Sequence, residues 1–170
     1  HSRILSRSLL SVLSFLLADP LFSGAIGSLL RRTNVEGGLV VQLGCEGDEK
    51  IALTPSFLFQ GLDTDARRIE QLRTTIKSEN RYGRISARVY DGRTLPYADN
   101  MVNLLVVQDP ADVRKEELMR VLVPDGVLAR KIGGTWKTVT KMRPKEMDEW
   151  PQYLHGADNN CVAHDTVVGP

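Results

Sequence analysis

Gly44 and Gly47 stand in a turn directly after the apolar run 39–43, and Asp63 closes a second apolar run, 57–62. Glycine lets main chain approach a bound group with no Cβ in the way. A carboxylate at the tip of the neighbouring strand accepts hydrogen bonds only, on two oxygens, and so suits a pair of vicinal hydroxyls. A strand, a glycine turn and an acid about 20 residues further on are the spacing of a nucleotide-binding βαβ unit, with ribose as the diol. Asp63 has a structural alternative, since it could cap the following helix, as could Thr64 and Asp65. Asp91-Gly92 reads as the start of a turn. Cys45 lies beside the glycine turn and reads more readily as buried packing than as a reactive thiol.

Those groups need a frame, and the apolar pattern supplies one. Residues 21–32 have helical spacing, and Gly37-Gly38 separates them from the first strand at 39–43. A short helix over 47–53 is cut off by Pro55, and a second strand spans 56–62. Asp65 caps a helix through Lys77 with Ile69, Leu72 and Ile76 on one face. Strands follow at 85–90 and 102–108, then a helix over 114–122 stopped by Pro124-Asp125-Gly126, then a fifth strand at 127–132. One more short strand fits 136–141. Alternation of this kind predicts an α/β fold with an open, Rossmann-like parallel sheet of five or six strands and helices on both faces. Ligand loops then fall at the carboxyl edge.

Composition narrows the partners. The chain of 170 residues carries a formal charge of +1, which gives no reason to expect a nucleic acid. Cys45 and Cys161 share no metal-ligand spacing, and His155 and His164 have no clustered acid or cysteine, so no metal is expected. Arg3 and Arg7 precede the apolar run 9–18, which is too short for a stable membrane span. Residues 1–25 are therefore a signal-like leader or an amphipathic helix: exported in the first case, cytoplasmic otherwise. Residues 26–134 form the folded domain, and 135–170 read as a linker or docking tail toward a C-terminal domain.

Over residues 38–132 the chain resembles a class I S-adenosylmethionine-dependent methyltransferase domain. Val40-Val41-Gln42-Leu43-Gly44-Cys45-Glu46-Gly47 is similar to that family's first motif, and Gly61-Leu62-Asp63 to its second. Tyr90-Asp91-Gly92 with Leu95-Pro96-Tyr97 resembles the third, and Arg120-Val121-Leu122-Val123-Pro124-Asp125-Gly126 the turn written R-x-L-x-P-G-G. The resemblance implies S-adenosylmethionine as cofactor, with Asp63 on the ribose, Asp91 near the adenine, and Gly44, Cys45, Gly47, Thr64, Gly92 and Gln108 around them. It departs from the family pattern at Gln42 and Asn103, where acids are usual, at Glu46 in the glycine turn, and at Asp125. The complete final strand pair of the family's sheet is not evident.

The whole chain also resembles the front of exported bacterial proteins that join such a domain to a quinoprotein-like (PQQ-type) β-propeller. The segments Asp148-Glu149-Trp150 and Ala163-His164-Asp165-Thr166 carry that likeness. Two functions follow. One is methyl transfer from S-adenosylmethionine to an unidentified acceptor. The other is a catalytically degenerate accessory or docking module of a larger propeller protein. Asp109-Pro110, just past the fourth strand, lies where such enzymes face their substrates, but reads as a solvated turn.

Overall fold

The computed structural model describes residues 24–45, 54–108, 112–145 and 147. The elements run α1 (Gly24–Thr33), β1 (Gly38–Leu43), β2 (Phe57–Asp63), α2 (Ala66–Ser78), β3 (Ile85–Val89), β4 (Val102–Val107), α3 (Lys115–Val121), β5 (Leu122–Ile132) and β6 (Thr135–Thr140). They build a six-stranded sheet in the order β3-β2-β1-β4-β5-β6. The first five strands are parallel and β6 is antiparallel to β5. Order reverses at β1, which has β2 on one side and β4 on the other. In an open α/β sheet that reversal leaves a crevice at the carboxyl ends of the strands.

β1 and β4 at the centre of the sheet bury both faces along most of their length, as their apolar runs require. On one face, Ile26, Leu29 and Leu30 of α1 and Ile69, Leu72 and Ile76 of α2 pack with Val40, Phe59, Leu104 and Val106. On the other, Leu118 and Val121 of α3 and Leu95 of the β3–β4 connection cover Val41, Leu43, Leu62, Leu105 and Val107. Helices thus lie on both faces, as expected. Asp65 is the N-cap of α2, its side chain accepting from the Arg67 N–H. Asn103 accepts the Leu39 N–H across β1 and β4 at 3.0 Å. A Cβ on Gly38, whose φ is +101°, would fall 2.0 Å from that same Asn103 oxygen. Gly38 is therefore needed for this side-chain bridge as well as for its own positive φ.

The structure corrects the sequence reading around Pro124-Asp125-Gly126. These residues end no helix by a loop; α3 passes straight into β5, and they lie inside that strand. The β4–β5 register shifts between Val102 and Leu104, and Asp125 takes a left-handed φ of +64°. A Cβ on Gly126 would meet the Val123 carbonyl at 2.8 Å and the Val102 carbonyl at 3.1 Å. Pro and Gly are tolerated in a strand at such an irregularity, where a ladder bond is already missing and backbones come close. The sheet's far edge is the short strand expected over 136–141, found at Thr135–Thr140. Gly133 and Gly134 have φ of +56° and +79°, the pair of positive values that closes a two-residue hairpin. The ordered sheet thus runs through Thr140, beyond the expected start of the tail at 135.

Residues 1–23 of the segment read as a leader over 1–25, the helix expected over 47–53, Gly47, Glu46, Asp109-Pro110, Cys161 and the propeller-like junction lie outside the described residues, while Gly24 and Ala25 open α1. Among the described residues no helix is long and apolar enough to cross a membrane.

Phe59 and Leu58 test the two-faced strand directly, being 1% and 52% exposed as neighbours on β2. Phe59→Ala is expected to cost about 3–5 kcal/mol in urea denaturation. Leu58→Ala is expected to change stability by less than about 1 kcal/mol. Equal losses would contradict the assigned faces.

Candidate nucleoside site at the carboxyl edge

Because β1 to β4 are parallel, all four tips reach one edge, and main-chain bonds just past the strands hold them level. The Gly44 N–H donates to Leu62 O at 2.9 Å, Tyr90 N–H to Asp63 O at 3.1 Å, and Gln108 N–H to Leu43 O at 3.0 Å. Gly44 has a φ of +81°, so the turn leaving β1 needs glycine at that point.

Asp63 fastens this turn. It is 4% exposed, its Oδ2 accepts the Cys45 N–H at 2.8 Å, and its Oδ1 accepts the Asp65 N–H at 2.8 Å. Arg68 adds a guanidinium nitrogen 3.6 Å from Oδ2. The carboxylate at the tip of β2 therefore points at the turn after β1, as the motif spacing implies. The helix-capping role falls to Asp65. Cys45 is fully buried, with its Sγ 3.8 Å from Leu62 O. A Cβ on Gly61 would lie 2.8 Å from that sulfur, so the glycine before Leu62-Asp63 makes room for Cys45.

Gln42, read from the sequence as a departure, is a brace. Its buried side chain donates from Nε2 to Gly44 O at 2.9 Å. An ionised acid there could accept but not donate, and would leave that carbonyl without this bond.

Asp91 lies beyond the tip of β3 and is exposed. Its Oδ1 accepts the Arg93 N–H at 2.8 Å and the Thr94 N–H at 2.7 Å, so it does start a turn. The Thr94 amide first, then that of Arg93, hold its carboxyl below the usual carboxylate range. Gly92, with φ +80°, sits against Thr64: a Cβ there would be 3.0 Å from Thr64 Cγ2. Of the sequence-derived set, Gly44, Cys45, Asp63, Thr64, Asp91, Gly92 and Gln108 thus line one edge, and Gly47 lies outside the described residues.

Of the residues that hold the segment after Asp91, Glu117 and Asp99 were not singled out in the sequence, and Arg120, Leu95 and Tyr97 stood there only as members of motifs. Arg120 on α3 pairs with both oxygens of Glu117, from Nε at 2.8 Å and Nη2 at 2.7 Å. Its Nη1 reaches Asp99 Oδ1 at 2.7 Å and Tyr97 O at 2.9 Å, while Glu117 Oε1 accepts the Leu95 N–H at 2.8 Å. Tyr97 in turn donates its hydroxyl to Gln60 on β2. Burial pushes that phenol well above its ordinary value. The spacing of Glu117 and Arg120 is a local helix-pair signal. Their partners in the loop, about 20 residues away, are fixed only by the fold.

No protein-family profile matches the sequence, and no curated protein does. Solved structures do match. A SAM-dependent methyltransferase from Aquifex aeolicus superposes with a TM-score of 0.52 at 14% identity, covering 61% of this chain and 61% of that one. The fold is that of the class I methyltransferases. A geranyl diphosphate C-methyltransferase from Streptomyces coelicolor, solved with Mg2+, geranyl diphosphate and S-adenosyl-L-homocysteine, gives 0.52 at 13% identity over 61% of this chain and 43% of that one. SpnF, a cyclase, gives 0.53 at 20% identity over 73% and 47%. The chain thus spans about half the length of the solved structures it matches. The cyclase shows that this architecture is shared by more than one chemistry.

The clamp on the Asp91 turn has a pH signature. Arg120 foremost holds the Glu117 carboxyl below its usual value, so the ionised form stabilises the fold. That contribution is complete above the unfolded value of about 4.3 and fades as pH falls through the lower folded value. Glu117→Gln should melt below the parent near pH 7, with the gap closing by about pH 3. A gap that stays constant across this range would mean that ionised Glu117 does not hold the clamp.

Proposed function

We propose that this domain binds S-adenosylmethionine across the tips of β1 to β4 and transfers its methyl group to an acceptor. The observation that carries the reading is the Asp63 carboxylate at the tip of β2, aimed at the glycine turn that leaves β1. Each of its oxygens accepts one main-chain N–H, which leaves acceptor capacity on both for a ribose diol. In this reading the main chain at Gly44 lies under the methionine part, Asp91 and Gly92 face the adenine, and Thr64 and Gln108 flank the nucleoside. The cofactor supplies a sulfonium methyl that leaves by in-line displacement. The chain's own residues then have to orient the nucleoside and exclude water, and no nucleophile of the protein is required.

A second reading has its own support. Asp63 is nearly buried and already serves two amides and a guanidinium, which gives it a structural use without any ligand. On that reading the domain is a degenerate accessory module. Export and a following β-propeller belong to it as proposals, resting on the resemblance of residues 1–25 and 148–170 alone.

Calorimetric titration separates the two. Micromolar binding of S-adenosylmethionine, weakened more than about tenfold in a folded Asp63→Asn variant, is the expected result. Absence of binding up to about millimolar cofactor would retire the enzyme reading and leave the accessory one.

A further inference from the structure

We propose that the outer edge of β6 is a self-association surface: two copies of this domain join β6 to β6, antiparallel and centred on Thr138, so that their two six-stranded sheets become one. The proposal stands on the strand edge and does not depend on the nucleoside reading.

β6 closes the sheet on one side and β3 on the other. A sheet edge carries unpaired main-chain N–H and C=O groups that invite another strand, and proteins blunt it. The β3 edge is blunted. On its inner side Arg84 O accepts the Phe59 N–H and the Tyr90 N–H donates to Asp63 O, so by alternation Ile85 and Ala87 face outward. The Ile85 N–H then donates to Arg81 O at 3.2 Å, and Ala87 O accepts from Arg73 Nε at 3.1 Å.

β6 has no such cover among the described residues. The Lys141 N–H donates to Gly126 O at 2.8 Å, which fixes the phase of the ladder with β5. Thr135, Lys137 and Val139 therefore bond inward, and the N–H and C=O of Trp136, Thr138 and Thr140 point outward. No described group bonds to these outward positions. The six residues pair with β5 in an unbroken register and include no proline. Thr135, Thr138, Val139 and Thr140 are β-branched and suit a strand between two others. The only guard is the single charge of Lys137.

The strand is also complementary to itself. About Thr138, the outward groups of Trp136, Thr138 and Thr140 meet those of Thr140, Thr138 and Trp136 of the second copy, and each finds a partner. Trp136 then stands opposite a threonine and Thr138 opposite its own counterpart, both favourable cross-strand pairs. Lys137 falls opposite Val139 of the second copy, and its alkyl stem covers a side chain that is 52% exposed in a single copy. Sliding the second copy by two residues one way sets Lys137 against its own counterpart, and the other way against Lys141. Like charges directly opposite are destabilising, so charge selects the register centred on Thr138.

Sedimentation velocity of the full chain should show a monomer–dimer equilibrium with a dissociation constant on the order of micromolar. Hydrogen exchange at the Trp136, Thr138 and Thr140 amides should slow as concentration rises. Thr138→Lys and Thr138→Glu each set like charges across the two-fold axis, and each should weaken association about tenfold or more while the dilute protein stays folded. An equimolar mixture of the two variants should dimerise again. A parent that stays monomeric, or a dimer that neither charge weakens, would overturn the proposal. So would amides protected equally at every concentration, which would mean that the edge is covered within one chain. A mixture that stays monomeric would rule out pairing about Thr138.

Discussion

One carboxylate holds the functional edge of this domain together. Asp63 lies at the end of β2, yet its Oδ2 is bonded to the amide of Cys45 in the turn after β1. A carboxylate taken this far out of water is costly unless donors replace the lost hydration. The Cys45 and Asp65 amides and the Arg68 guanidinium do so here. The dependence is mutual. Without the acid, two amide donors at the edge lose their partners, and an orphaned buried donor costs about as much as a lost hydrogen bond or more. Gly61 belongs to the same arrangement, because its missing Cβ is what lets the Cys45 sulfur pack beneath the tie.

The other half of the edge is held differently. No helix covers the sheet between β3 and β4; the chain crosses there as an irregular segment whose only deeply buried apolar anchor is Leu95. A segment of that kind would be mobile on packing alone. The Glu117–Arg120 pair replaces packing with charge-assisted bonds to three main-chain groups, Leu95 N, Leu95 O and Tyr97 O, together with Asp99. Arginine can do this because its planar fork presents donors in several directions at once. A lysine in its place could not bridge Glu117, Asp99 and two carbonyls.

The legible part of the fold was the part written in short-range pattern. The apolar runs at β1, β2 and β4, the helical stripe Ile69-Leu72-Ile76 and the cap at Asp65 all lie where residue spacing puts them, because burial of a strand or helix face is a local demand on sequence. Pro124-Asp125-Gly126 misled for a physical reason: the same residue types suit a loop and a bulged strand, and the choice was made by close approach of the Val102 carbonyl to Gly126. Gln42 misled in the opposite direction. Judged against the family pattern it was a loss, whereas in space its amide donates to the Gly44 carbonyl and stiffens the glycine turn. The Arg120 clamp was illegible because its value lies in partners whose distance along the chain no periodicity records.

These braces bear on why an acid should be kept at position 63. The turn after β1 is held at three consecutive points: Gly44 N by Leu62 O, Gly44 O by Gln42, and Cys45 N by Asp63. A turn fixed in advance loses little freedom when a ligand arrives, so more of the contact energy appears as affinity. Both oxygens of Asp63 already accept a main-chain N–H, from Cys45 and from Asp65, and an asparagine with its single acceptor oxygen would leave one of those amides unpaired. The acid therefore has a structural use with or without a ligand. What it adds beyond that use is the lone pairs left over on two oxygens at the strand tip, which a pair of adjacent hydroxyls would engage in the proposed nucleoside site.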